Sequence, residues 1–100
     1  MDVTYWKSER RRARTELRNY IVRNSVSIED VYEIEIPNNL KNMPSHEFDA
    51  WIEDNKCRIF AKKREMGKSL RNPGLIDCLI EYNCACTNVQ TAEVSSSYNV

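Results

Sequence analysis

Apolar residues recur along the first quarter of the chain with the period of a helix. Trp6, Ala13, Leu17, Tyr20 and Ile21 fall within about a third of the circumference at ~100° per residue. The pattern predicts a helix from about Thr4 to Arg23, ended by Asn24. The period then changes. Between Val31 and Pro37, Tyr32, Ile34 and Ile36 alternate with Glu33 and Glu35, which is the signature of a strand with one wet face. Ser27 and Asp30 have the spacing of a capping box for a short helical turn before it, and Pro37-Asn38-Asn39 breaks it.

Ser45, following Pro44, is placed to cap a second helix whose apolar face is Phe48, Trp51 and Ile52, running to about Asn55. Glu47 and Asp49 suit the positive end of its dipole and, with Glu53 and Asp54, leave its outer surface acidic. Cys57, Ile59 and Ala61 alternate, predicting a strand over 57–62, with a helix over 57–66 as the alternative. Asn72-Pro73 reads as the cap and first residue of a third helix to Tyr82. In it Leu75, Ile76, Cys78, Leu79, Ile80 and Tyr82 leave only Asp77 and Glu81 polar. So wide an apolar arc is the centre of the core or carries an interface on the face the core leaves unused. After Asn83, residues 85–93 read as a last strand and 95–100 as a loose tail.

Assembled, these elements predict a small α+β domain over residues 1–94, with about three helices packed on a short two- or three-stranded sheet; a mainly helical fold is the alternative. Its expected core is Trp6, Leu17, Ile21, Ile34, Ile36, Phe48, Trp51, Ile52, Ile59, Leu75, Leu79 and Tyr82. A chain of 100 residues supports one core, a small one that hides only ~65% of the unfolded surface. That favours a partner or a second copy. No apolar run approaches the ~18 residues that span a bilayer, and residues 1–14 lack the apolar stretch of a signal peptide. The expectation is an intracellular protein, cytoplasmic or nuclear, whose four cysteines stay reduced.

Charge changes the picture more than composition does. The chain is neutral, but residues 1–24 carry seven basic and three acidic groups, 25–55 one and eight, 56–71 seven and one, and 72–100 three acidic groups alone. Such blocks pair within the fold, pair across a dimer, or leave a basic block facing a polyanion. Beside the apolar stripe of the first helix, Lys7, Arg11, Arg14 and Arg18 form one cationic line that suits a phosphate backbone, with Lys62, Lys63 and Arg64 as a second basic group. Arg10 projects into the stripe itself and needs a carboxylate or an outward path. The function expected is therefore a small regulatory protein that binds nucleic acid. The alternative is an adaptor or inhibitor, as a monomer or a homodimer, that docks an acidic or apolar protein surface through Trp6, Tyr20, Ile76 and Ile80.

Catalytic chemistry is not legible. Met66-Gly67-Lys68-Ser69 ends like a phosphate loop, but Lys62 stands where that motif needs its first glycine. His46, at the start of an acidic helix, has no thiol and orienting group converging on it. Cys57, Cys78, Cys84 and Cys86 include only one close pair, a poor match to zinc spacing, so they read as small apolar residues. No catalytic residue, metal or cofactor is assigned.

Overall fold

The computed structural model describes residues 2–98; Met1, Asn99 and Val100 lie outside the described residues. Within that span the protein is helical: α1 (Val3–Arg23), α2 (Ser25–Tyr32), α3 (Ser45–Met66) and α4 (Pro73–Tyr98), with short 3-10 turns at Leu40–Asn42 and Gly67–Ser69. No strand occurs among the described residues. The α+β expectation is thereby overturned, and the mainly helical alternative fits.

Each lost strand has a physical reason. Val31 and Tyr32 finish α2, and Glu33 turns the chain with φ 56°, in the left-handed region that ends helices. Ile34 still points into the core and Ile36 partly so, but Ile36 N donates to the Glu29 carboxylate at 3.2 Å, not to a neighbouring strand. Residues 57–62 continue α3, because nothing between Ser45 and Met66 breaks a helix and Phe48, Ile52 and Ile59 keep one buried line. Gly67, with φ 56°, stops it, and its N–H donates to the Lys63 carbonyl. Residues 85–93 lie inside α4: Leu75, Leu79, Tyr82, Ala85, Val89 and Ala92 are all buried at helical spacing. The same helix takes in the start of the expected tail, running through Tyr98.

The fold is organised by the long pair of α1 and α4. They run antiparallel: Lys7 reaches Glu93 near one end, Arg12 reaches Glu81, and Tyr20 lies over Gly74 at the other. Ala13, Leu17 and Ile21 supply the buried line of α1, and Ala13 and Ala85 are small enough for close backbone approach. A Cβ on Gly74 would stand 2.7 Å from Tyr20 Cε2, so glycine is what lets the ring sit over the first turn of α4. The Asp2 carboxylate caps α1, accepting from the Thr4 and Tyr5 N–H groups at 2.9 and 3.3 Å.

Asn72 ties the remaining pieces together. It is 6% exposed, the one buried polar residue among those described. Its amide nitrogen donates to Ser27 Oγ at 2.7 Å, its side-chain oxygen accepts from Tyr20 at 3.4 Å, and its carbonyl accepts from the buried Tyr32 hydroxyl at 3.1 Å. One residue thus links α1 and α2 to the start of α4. Of the expected core, Trp6 falls outside the main cluster: it is only partly buried and sits edge-on to Tyr5, centroids 5.0 Å apart.

Candidate functional site

The four cations of the α1 line lie on one side of the helix, but two of them are taken up by contacts inside the fold. Arg14 donates to both oxygens of Asp49 in α3, Nε at 2.9 Å and Nη2 at 2.8 Å, and the pair is largely enclosed. Burial opposes the charge on Arg14, but the Asp49 hydrogen bonds more than compensate and hold its pKa above the ordinary value. The Tyr82 hydroxyl adds a third bond to Asp49 at 2.5 Å, so one carboxylate clips α1, α3 and α4 together. Arg18 donates to the Met43 carbonyl at 2.9 Å and lies over the Phe48 ring, 4.8 Å from its centroid. These two cations are fold contacts, made by the acidic block next along the chain.

Lys7 and Arg11 stay exposed; Lys7 stands 3.7 Å from Glu93 across the helix pair. Arg12, on the neighbouring flank, is held by Glu9, Glu16 and Glu81, which raises its already high pKa. The second basic group lies elsewhere. Lys62 is 3.7 Å from Glu33 after α2, Lys63 donates to the Gly67 carbonyl at 3.4 Å, and Arg58 binds the Glu33 carbonyl. It therefore sits toward α2, whereas Lys7 is beside the last turns of α4. Arg64, Lys68 and Arg71 are exposed and have no ion pair among the described residues.

Of the four residues expected to anchor a protein partner, Ile76 is buried, and Trp6 and Tyr20 are half-buried. Ile80 is 47% exposed. It begins a feature that the sequence reading missed. Ile80, Cys84, Thr87, Thr91 and Val94 are all exposed and follow one another by four and three residues, so they form a single uncharged line down the outer face of α4. Its signal was the heptad offset from the buried line beginning at Leu75, obscured because Cys and Thr count little as apolar.

The thiols are unpaired, with Cys57 and Cys84 exposed and Cys78 and Cys86 half-buried. Burial pushes both Cys78 and Cys86 above the ordinary thiol value, opposite to the shift that activates a nucleophile. Among the described residues no three His, Cys, Asp or Glu side chains converge as a metal-binding group. No described helix is long and apolar enough to cross a membrane. No family model, curated protein or solved structure matches the chain.

Proposed function

We propose that the chain is a non-enzymatic binding protein acting inside the cell, and that its partner is an amphipathic helix of another protein laid along the outer face of α4. The uncharged line from Ile80 to Val94 carries this reading: in a chain with 30% charged residues, five successive seam positions hold none. Asp77 lies one turn before Ile80 on the same line and Glu81 beside it, while residues 73–98 contain no Lys or Arg. The seam thus has an acidic end, and a complementary helix carries small apolar residues along its length and a basic residue facing Asp77. A second reading, phosphate contact with nucleic acid, is supported by the exposed Arg64, Lys68 and Arg71.

Quantitative affinity capture from the source cells, comparing the wild-type chain with an Ile80→Glu/Val94→Glu variant of unchanged helical circular dichroism, tests the first reading. The captured protein should be lost with the seam variant and kept with an Arg64→Glu/Lys68→Glu/Arg71→Glu variant. In the purified complex Cys84 should alkylate more slowly than in the free chain, with Cys57 as the internal reference. Equal capture by wild type and seam variant rejects it. Salt-dependent binding of labelled RNA or DNA that vanishes in the triple variant favours the second.

A further inference from the structure

A second site borders the seam, where α4 turns toward α1 and α3, and Thr87 stands on the edge between the two. A polar cleft of about 560 Å³ opens between α1, α3 and α4. Its charged walls are Arg10, Asp49, Glu53 and Lys56, and its neutral polar walls include Asn83, Thr87 and Gln90. The charges are unequally satisfied. Asp49 is saturated by Arg14 and Tyr82, and Glu53 accepts from Lys56 at 2.8 Å. Among the described lining residues, only Arg10 has no counter-charge, and its Nε is shut off from water without a hydrogen-bond partner. A guanidinium with a buried, unpaired donor is an unfinished interaction.

We propose that this cleft binds a small hydroxy-carboxylate through Arg10. Nη1 and Nη2, which unlike Nε are not shut off and make no hydrogen bond among the described residues, form the end-on fork of the guanidinium, a geometry that matches a carboxylate. Counting Arg14 behind Asp49, three cations face two carboxylates, so one negative charge brings the site to neutrality. That selects a monoanion over a phosphate dianion, which the Asp49 and Glu53 carboxylates would repel. The hydroxyl of Thr87 and the amides of Asn83 and Gln90 provide hydrogen-bond partners for a hydroxyl on the ligand. The proposal does not depend on the docking of a partner at the outer seam.

The arginine Nε–Hε signals of the ¹⁵N-labelled full chain read the site directly. Lactate, acetate and inorganic phosphate are titrated, with sodium chloride at matched ionic strength as the control. Lactate should move one Nε–Hε signal saturably, at lower concentration than acetate, while chloride leaves it in place. The signal should be absent in Arg10→Gln, and in Arg10→Lys, which keeps the charge but loses the fork, lactate binding followed by the backbone amide signals of Asn83, Thr87 and Gln90 should weaken at least about tenfold. Thr87→Val, which leaves Arg10 intact, should narrow the gap between lactate and acetate. No saturable movement in the folded wild-type chain, or movement that persists with Arg10 replaced, overturns the site. Phosphate saturating below lactate overturns the monocarboxylate assignment.

Discussion

Asn72 shows how much of this fold hangs on single polar side chains. It is buried, and its amide bonds both Ser27 and Tyr20 from the start of α4. Replacing it with alanine leaves those hydroxyls facing a void, and Asn72→Ala should cost about 2 kcal/mol. The check is a lower urea midpoint with an unchanged slope. Tyr32 makes the same junction sensitive to alkali. Burial pushes its hydroxyl up to about 12, from an ordinary value of 10. Burial and the Asp49 carboxylate also push Tyr82 up. A raised folded pKa means that the native state holds its proton after the unfolded chain has lost it. The associated stability is complete below pH 10 and drains as pH rises toward 12, at roughly 1.4 kcal/mol per pH unit for each tyrosine. Urea titrations at successive alkaline pH should show that decline, and Tyr32→Phe should make it shallower.

The α1/α4 pair depends on close approach as much as on apolar area. Gly74→Ala would place a methyl 2.7 Å from the Tyr20 ring, where the first turn of α4 is also held by Asn72. The expected loss is roughly 1–3 kcal/mol, although alanine is the better helix former. Combining it with Tyr20→Leu should recover part of that loss, since the clash needs both partners, and a double-mutant cycle in urea measures the coupling. Three of the four α-helix starts were legible in the sequence: Thr4, Ser45 and Pro73 all fall at or within one residue of observed starts, since Asn72-Pro73 and Pro44-Ser45 are local signals, whereas α2 begins at Ser25, ahead of the turn expected from Ser27. The lengths of α3 and α4 were not. Cys57, Ile59 and Ala61 alternate by accident of composition, and in the helix Ile59 is buried while Cys57 and Ala61 face water. Beyond Tyr82 the buried line is carried by Ala85, Val89 and Ala92, two of them too small to stand out as a stripe. Without a partner strand to pair with, the alternation at 31–36 told which side chains face inward but not what the backbone does there.

The chain carries equal numbers of basic and acidic groups, and several of the opposite charges meet inside the fold, which decides how the molecule meets others. The longest dimension is 49 Å, set by a 26-residue α4 that spans about 39 Å at 1.5 Å per residue. The basic α1 lies antiparallel beside the acidic α4, and Asp49 of α3 draws Arg14 in from the α1 cationic line. Sequence periodicity placed Lys7, Arg11, Arg14 and Arg18 on one side of a helix, and so they are. What it lacked was the crossing of α3, which decides that Arg14 is 14% exposed and held by Asp49 while Arg11 faces water. The two arginines should therefore respond oppositely to the same substitution. Arg14→Glu sets two carboxylates against each other in a largely enclosed contact and should destabilise the chain by about 3 kcal/mol. Arg11→Glu, on an exposed turn, should leave the urea midpoint within about 0.5 kcal/mol of wild type. If α1 were an open phosphate-binding ridge, both variants would fold alike and differ only in binding. A stability gap between them, measured at moderate salt to mute surface charge effects, separates a fold contact from a ligand contact within a single turn of one helix.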